Sequence, residues 1–204
     1  MKILVTGFEP FGNEQVNPSW QAVNALPSFV LGAQIAKLEL PVVYDTCGEL
    51  LIGAIERELP DAVLLVGQAM KRNCITPEFV AINQRDGVKD NAGVEYRGCR
   101  ITPEAPDAYF STLPVRAMVR RMTENGIPAK LSYTAGTYVC NNLMFHALHY
   151  SAMNHPSMPT GFVHIPLSME QAAAHGGEYP GMEVETCIRG LTVCIETIIN
   201  ELAK

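Results

Sequence analysis

The sequence predicts an α/β fold in which a mostly parallel sheet is covered by helices. Short apolar runs that end in glycine or a turn alternate along the chain with segments of helical periodicity, and this alternation is typical of parallel sheets. The 204 residues suit one compact domain, which we place over residues 1–204. Hydrophobic residues make up 48% and charged residues 18% of the chain, so we expect a sizeable core rather than extensive disorder.

The expected elements follow one another in a regular order. We predict strands at 2–6, 35–43, 62–66, 129–133 and 161–165, and helices at 18–26, 44–59, 115–125, from about 140, and at 182–202. Asn17 followed by Pro18 is typical of a helix start. The segment 68–114 is the least regular, and we expect one hairpin in it, between 79–83 and 98–102. In such folds the active site lies beyond the carboxyl ends of the strands.

The charge and the cysteines exclude several classes of function. A net charge of −6 argues against nucleic acids and anionic membranes as partners, because both favour basic surfaces. The first apolar run is too short for the core of a signal peptide, and no run approaches the roughly 18 residues of a membrane span. The six cysteines show no CxxC spacing, so we expect reduced thiols in a cytoplasmic protein.

Cys140 lies where a predicted strand and a Thr-Ala-Gly turn lead into a helix. Backbone N–H groups and the helix dipole at such a position favour a thiolate and lower the pKa of a cysteine. The same N–H groups are suited to hold the oxyanion of a tetrahedral intermediate. Cys140 is therefore a candidate nucleophile, and the alternative is a buried cysteine that only fills space.

A cysteine nucleophile needs a base, and His164 is the best placed of the five histidines. It lies near the carboxyl end of the strand that follows the cysteine helix, and consecutive parallel strands end at the same edge of the sheet. His146 and His149 lie on the helix itself, roughly 9 Å or more along its axis from Cys140, which is too far to reach the thiol. A buried structural role is the alternative for His164.

The third group of such a site orients the imidazole and stabilises its charged form. Glu78 is the best-placed carboxylate, because it lies a few residues beyond a predicted strand and among apolar neighbours. A carboxylate in that setting is costly to bury without a partner. Asp86 and Asp90, in the loop that follows, are competing candidates for the same role.

Two aromatic residues, Phe8 and Phe11, follow the first strand in the run TGFEPFG. At an active-site edge they are suited to clamp a small planar group, and the alternative is that both belong to the core. The run lacks the features of a phosphate loop, and the chain has neither a GxSxG elbow nor an HExxH motif. The cysteine chemistry is therefore the favoured hypothesis.

Four motifs together resemble the pyroglutamyl peptidase I family, also called the pyrrolidone-carboxylate peptidases. TGFEPFGNEQVNPSW is similar to the family's N-terminal signature, ITPEFVAIN to its glutamate motif, SYTAGTYVCNNLMF to its cysteine motif and GFVHIP to its histidine motif. The resemblance covers essentially the whole chain, in the family's order. It implies a cysteine peptidase with an α/β/α sandwich, a triad of Cys140, His164 and Glu78, no metal or cofactor, and a homo-oligomer, either a tetramer or a dimer.

The resemblance also implies a substrate and a pocket. The substrates are peptides that carry an N-terminal pyroglutamyl residue, which is an uncharged five-membered lactam. The residues carried over as substrate-binding are Phe8, Phe11, Gln68, Tyr138 and Val139. A mostly apolar slot with a few amide partners suits such a ring, whereas an ordinary aminopeptidase needs an acidic group for the α-ammonium.

Three departures from the family's pattern lie near the expected pocket. Met70 stands where a small residue is expected, Phe79 follows Glu78 where a basic residue is usual, and the loop 84–90 is shortened. Arg85 is only a nearby substitute for the arginine expected in that loop. The alternatives are therefore a related cysteine hydrolase that acts on another small lactam or amide, and a non-catalytic binding homologue.

Overall fold

The computed structural model describes residues 1–204 and shows the predicted α/β architecture. Its elements, in chain order, are β1 (Lys2–Phe8), α1 (Pro18–Ala25), β2 (Phe29–Val30), β3 (Ala33–Leu40), α2 (Tyr44–Glu58), β4 (Ala62–Gln68), β5 (Thr76–Pro77), β6 (Val80–Ile82), β7 (Ala108–Phe110), α3 (Val115–Glu124), α4 (Val139–Asn154), β8 (Thr160–Ile165), α5 (Met169–Ala174) and α6 (Val184–Leu202). The predicted helix start at Pro18 is confirmed, because the Asn17 side chain accepts a hydrogen bond from the backbone N–H of Ser19.

Four parallel strands form the centre of the main sheet. The order across its six strands is β2-β3-β1-β4-β8-β5, with β2 and β5 as short antiparallel strands at the two edges. A separate antiparallel pair is formed by β6 and β7. In the register of β4 with β8, Gly67 lies opposite His164. The carboxyl ends of these two central strands therefore meet at one edge of the sheet.

Helices cover both faces of the sheet, which makes the architecture an α/β/α sandwich. The helices α1, α3 and α6 contribute buried residues to one apolar cluster, and α2 and α4 contribute to the other. The apolar face of α6 packs in the core, because it contributes the buried residues Cys187, Leu191, Cys194, Ile195 and Ile198. None of the helices has both the length and the apolar character that a membrane crossing requires.

The prediction of a hairpin between 79–83 and 98–102 is wrong. The strand β6 pairs with β7 rather than with 98–102, where Arg85 and Cys99 form only an isolated bridge. The reason is the buried side chain of Asn83, which accepts a hydrogen bond from the Thr102 N–H and donates one to the Thr102 carbonyl. This amide satisfies backbone groups that a strand ladder would otherwise pair.

The prediction of a strand at 129–133 is also wrong, because no continuous strand forms there. The segment forms isolated bridges only, at Ala129 and Ser132. Its neighbour, the edge strand β5, is two residues long and ends in Pro77, which has no N–H to donate. A regular ladder of backbone hydrogen bonds cannot extend along such a partner, so the segment 129–133 lies beside the sheet edge without forming a strand.

Two histidines of α4 are partly buried against neighbouring elements. His146 lies against Gly48 of α2, where an added Cβ atom would be 3.1 Å from the imidazole. Burial lowers the pKa of His146 to about 4. The Nδ1 atom of His149 is 2.8 Å from the hydroxyl of Tyr109, and no group of three His, Cys, Asp or Glu side chains is arranged to hold a metal ion. The pair therefore contributes to packing.

The low pKa of His146 makes the stability of the protein depend on pH. The unfolded chain takes up a proton at this residue as the pH falls below about 6.5, whereas the folded protein resists protonation until about pH 4. We expect the free energy of unfolding to decrease from about pH 7 to about pH 4.5, and His146→Gln to remove about 1–2 kcal/mol of that decrease after allowance for partial exposure.

Urea unfolding at about pH 7 and about pH 4.5 measures the free energy of unfolding that the wild type and His146→Gln each lose on acidification. His155→Gln is the matched control, because His155 lies exposed just after the same helix. It should lose as much stability on acidification as the wild type. An equal loss in the wild type and in His146→Gln would contradict the prediction.

Candidate active site

A largely apolar cavity of about 220 Å³ opens at the carboxyl ends of β1 and β4. Nine residues line it, and none of them is acidic or basic. They are Phe8, Phe11, Asn17, Val42, Gln68, Met70, Tyr138, Val139 and Cys140. The cavity therefore lies at the sheet edge where parallel strands place their ligands, and its size suits a small group.

The position of the Cys140 sulfur depends on the absence of a side chain at Gly67. A Cβ atom at Gly67 would lie 3.1 Å from the Sγ of Cys140 and 2.7 Å from the ring of Phe162. The sulfur thus packs against the backbone of β4. Because Gly67 lies opposite His164 in β8, the register of the two strands holds the thiol and the imidazole at the same edge of the sheet.

Two asparagines that follow the cysteine fix the start of α4. The Asn141 amide donates hydrogen bonds to the carbonyls of Ile82 and Gln84 at 2.9 and 3.0 Å. The Asn142 amide donates to the carbonyl of Tyr44 at 2.6 Å. No side chain caps the N-terminus of α4, so its first backbone N–H groups are available to a ligand in the cavity.

His164 and Glu78 form a buried pair. The Nδ1 of His164 is 2.8 Å from the Oε1 of Glu78, and the two residues are 4% and 0% exposed. The Nη2 of Arg72 donates a further hydrogen bond to the same oxygen at 3.2 Å. An ionised Glu78 would accept the hydrogen of Nδ1, and the lone pair of the ring would then lie on Nε2, where it can accept a proton.

The two competing carboxylates have other surroundings. The Asp90 side chain accepts hydrogen bonds from three backbone N–H groups. Asp86 is exposed, and its backbone N–H donates to the carbonyl of Thr137. Glu78 is therefore the carboxylate that the structure brings to His164.

The Cys140 thiol is strongly desolvated. Burial raises its pKa to about 12, and the nearby Cys47 and Glu78 act in the same direction. This direction is opposite to the one expected from the helix N-terminus, because the loss of hydration outweighs the helix dipole. Part of Cys140 is still exposed, on the side of the cavity. A thiol with so high a pKa keeps its proton at pH 7, so a reaction at this sulfur would require a base to remove it.

The structure brings the five expected pocket residues together around the cavity: Phe8, Phe11, Gln68, Tyr138 and Val139. The ring of Phe11 packs against that of Tyr138, with centroids 5.3 Å apart, whereas Phe8 is almost fully buried and also belongs to the core. The two interpretations of the aromatic pair are thus not exclusive, since Phe8 packs in the core and still lines the cavity.

Sequence reasoning missed two further residues of the cavity wall, Asn17 and Val42. Val42 comes shortly after the end of β3, so the rule about carboxyl ends, applied to that strand as well, would have found it. Asn17 was identified only as a helix cap. Its amide also donates to the carbonyl of Glu9, and this second bond ties the loop after β1 to the start of α1.

Of the departures from the family's pattern, only Met70 lies in the cavity wall. Phe79 packs outside it, with its ring centroid 5.2 Å from that of Phe110. Arg85 forms an ion pair with Asp45 at 2.6 Å. Neither Phe79 nor Arg85 therefore contributes a side chain to the cavity.

Comparison with known proteins gives consistent matches over the full chain. A family model described as pyroglutamyl peptidase matches residues 1–201. The chain is 45% identical over 200 residues to a pyrrolidone-carboxylate peptidase of Levilactobacillus brevis, covering 98% of each chain. It is 46% identical over 205 residues to the corresponding protein of Thermococcus kodakarensis, covering 100% of this chain and 98% of the relative.

A solved structure agrees with these matches. The pyrrolidone carboxyl peptidase of Pyrococcus furiosus superposes with a TM-score of 0.94 at 39% sequence identity. The superposition covers 99% of this chain and 100% of the other. The agreement therefore extends to the whole fold, including the strands and the helix that surround the cavity.

The close contact at Gly67 can be tested by substitution. In Gly67→Ala the added methyl group collides with the Phe162 ring and covers the Cys140 sulfur. We expect the free energy of unfolding to fall by about 1–3 kcal/mol and the alkylation of Cys140 by iodoacetamide to slow by about tenfold or more. Urea unfolding and mass spectrometry of the alkylated protein measure the two effects.

Gly53→Ala is the matched control for this substitution. Gly53 lies exposed in α2 with no atom within 4 Å of an added Cβ, so the alanine should raise stability by about 0.5–1 kcal/mol. The alkylation rate of Cys140 should then stay at the wild-type value. Wild-type stability and alkylation in Gly67→Ala would refute the packing argument.

Proposed function

The chain belongs to the pyroglutamyl peptidase family of cysteine peptidases, and from this premise we propose that Cys140, His164 and Glu78 hydrolyse the amide bond that follows an N-terminal pyroglutamyl residue. The observation that carries the assignment of roles is the buried hydrogen bond of 2.8 Å between His164 and Glu78, at the sheet edge where the Cys140 sulfur lies against Gly67. A nucleophile, a base and an orienting carboxylate are the parts that acyl transfer needs.

The first half of the reaction forms an acyl-enzyme. The Sγ of Cys140 attacks the carbonyl carbon of the pyroglutamyl residue while the Nε2 of His164 accepts the thiol proton. The backbone N–H groups at the start of α4 donate to the oxyanion of the tetrahedral intermediate. His164 then protonates the departing amine, and Glu78 stabilises the imidazolium that exists between these two proton transfers.

The second half releases pyroglutamate. A water molecule loses a proton to the Nε2 of His164 and attacks the thioester, and the Cys140 sulfur leaves and regains its proton. The same base serves both halves, as microscopic reversibility requires. No redox change occurs at any step, so the reaction needs no cofactor.

The uncharged wall of the cavity supports the choice of substrate. None of its nine residues is acidic, so a free α-ammonium group would lose its hydration without gaining a partner. A lactam ring carries no such charge. We propose that Phe8 and Phe11 flank the ring, that Val139 packs against it, and that polar groups of Gln68 and Tyr138 bond its amide.

Three further features belong to this proposal. One catalytic domain accounts for the chain, which the family match over residues 1–201 supports. The protein acts in the cytoplasm, where reducing conditions keep its free thiols functional. It forms a homo-oligomer, a tetramer or a dimer, and the exposed rings of Phe29, Phe110 and Tyr133 provide apolar surface of the kind that subunits bury.

The relatives do not favour the other functions considered from the sequence. The relatives from Levilactobacillus brevis and Thermococcus kodakarensis are both named pyrrolidone-carboxylate peptidases. Neither name supports hydrolysis of a different lactam or amide. A non-catalytic binding homologue would have no reason to retain the buried bond between His164 and Glu78. The pyroglutamyl peptidase activity is therefore the function that the site supports best.

Hydrolysis of a fluorogenic pyroglutamyl amide tests the assignment of the nucleophile. We expect Cys140→Ala and His164→Ala each to lower kcat by about 10⁴-fold or more under reducing conditions, because neither half of the reaction proceeds without them. Cys99→Ala is the control, since Cys99 is also partly exposed but lies outside the cavity wall. Retained activity in Cys140→Ala would rule out the proposed nucleophile.

Met70 allows a separate test of how the cavity selects its ligand. Its flexible side chain lines the cavity, and a difference of one methylene group in an apolar pocket changes kcat/KM by about 10–200-fold. We expect Met70→Ala to lower the preference for a five-membered over a six-membered lactam substrate by about tenfold. Met153→Ala, at an exposed position of α4, is the control, and an unchanged preference in Met70→Ala would show that Met70 has no part in selectivity.

A further inference from the structure

We propose that Arg72 is a positioning residue that keeps Glu78 in its ionised, accepting form and thereby selects the tautomer of His164 whose Nε2 is free to act as the base. The proposal rests on the triad proposed above and adds a fourth side chain to it. Arg72 lies outside the wall of the cavity.

Arg72 is held firmly in place. The two hydrogens of its Nη2 are shared among three acceptors: the Oε1 of Glu78 at 3.2 Å, the Oγ of Ser132 at 2.9 Å and the carbonyl of Thr134 at 3.0 Å. Its backbone N–H donates to the carbonyl of Ala69 at 3.0 Å, which closes a tight turn directly after β4. The guanidinium therefore has one preferred location, next to the carboxylate.

Apart from Arg72, few groups near Glu78 could stabilise a negative charge on its carboxyl group. The residue has no exposed surface, and its Oε2 contacts no protein donor. Arg72 and His164 both bond to Oε1. Of these two partners only the guanidinium is always charged, so it supplies the permanent positive charge beside a buried carboxylate that would otherwise be costly to ionise.

The protonation of Glu78 decides which nitrogen of His164 is the base. As an ionised acceptor, Glu78 takes the hydrogen of Nδ1 and leaves the lone pair on Nε2. A protonated Glu78 would instead donate to Nδ1, and the hydrogen of the neutral ring would then reside on Nε2. That tautomer cannot accept the proton of the neutral Cys140 thiol. Arg72 therefore acts on the nucleophile through two intervening side chains.

The backbone around Glu78 supports this chain of contacts. The segment that contributes Ser132 borders Glu78 on both sides, since the Ser132 N–H donates to the Pro77 carbonyl and the Phe79 N–H donates to the Ser132 carbonyl. Arg72 thus connects three parts of the chain: the turn after β4 to which it belongs, the residue Glu78 just after β5, and the segment 132–134. A lysine ammonium keeps the charge and has three donors, but it is a flexible point charge without the planar, pre-organised fork of a guanidinium, so Arg72→Lys keeps the charge and loses part of the fixed geometry.

The test compares Arg72→Met, Arg72→Lys and the control Lys71→Met, whose residue lies exposed in the same turn. We expect Arg72→Met to lower kcat by about 10–100-fold with KM within about threefold, and to move the acid limb of the kcat/KM profile to higher pH. Arg72→Lys should restore the profile in part, because it keeps the charge. Lys71→Met should match the wild type.

Two further measurements separate positioning from a merely structural role. Nitrogen NMR of labelled histidine should show a hydrogen on Nδ1 of His164 in the wild type, and on Nε2 in part of the Arg72→Met molecules. Arg72→Met in a Glu78→Gln background should cost no further activity, because Arg72 acts through Glu78. Melting temperatures monitor folding, and Arg72→Gln replaces Arg72→Met if the latter does not fold.

The outcomes distinguish this proposal from the one on which it rests. A wild-type pH profile and tautomer in Arg72→Met, or additive losses in the double variant, would overturn the role of Arg72 and leave the triad intact. Wild-type activity in Glu78→Gln would overturn the carboxylate's place in the triad, and with it the role of Arg72. If only Cys140→Ala and His164→Ala lost activity, and Glu78→Gln did not, the catalytic residues would be limited to Cys140 and His164.

Discussion

The buried carboxylate of Glu78 is the constraint on which the rest of the site depends. An ionised group with no exposed surface costs several kcal/mol unless other groups replace its hydration. Three separate parts of the chain meet to do this: the turn that carries Arg72, the strand that carries His164, and the edge segment that carries Glu78 itself. The fold at this edge of the sheet is therefore arranged around one carboxyl group.

Charge and polarity are distributed unevenly about His164. The carboxyl group beside the imidazole is itself bonded to a guanidinium, whereas the cavity wall contains no ionisable group apart from the Cys140 thiol and the phenol of Tyr138. In the proposed mechanism, protons therefore move through the charged side chains while the substrate binds among uncharged ones. This arrangement also explains how one site combines acid–base chemistry with a preference for an uncharged N-terminal ring.

The elements with repeated sequence patterns were the ones that could be predicted. The buried strands β1, β4 and β8 are continuous apolar runs and the long helix α6 has a periodic apolar face, and all four are predicted close to their observed bounds. The two-residue strands β2 and β5 and the six-residue helix α5 are too short to show a period. The mispaired hairpin reflects Asn83, whose side chain competes with the strand ladder and leaves no periodic signal.

The same distinction applies to the site. Cys140 and His164 follow from their places at a helix start and a strand end, which are local features. The contacts of Glu78 with Arg72 and His164, and the direction of the Cys140 pKa shift, depend on how distant segments bury one another. Local sequence indicated the helix dipole but not the desolvation that outweighs it, because desolvation is a property of the assembled core.

The short strands at the two sides of the main sheet have a consequence for the behaviour of the protein at high concentration. Strands β2 and β5 are two residues long, run antiparallel to their neighbours, and in β5 include a proline. They therefore offer few free backbone groups to a strand from another molecule. Growth of the sheet from one molecule to the next, the route to fibrils, is therefore opposed on both sides, and contacts between copies are left to side chains rather than to backbone pairing.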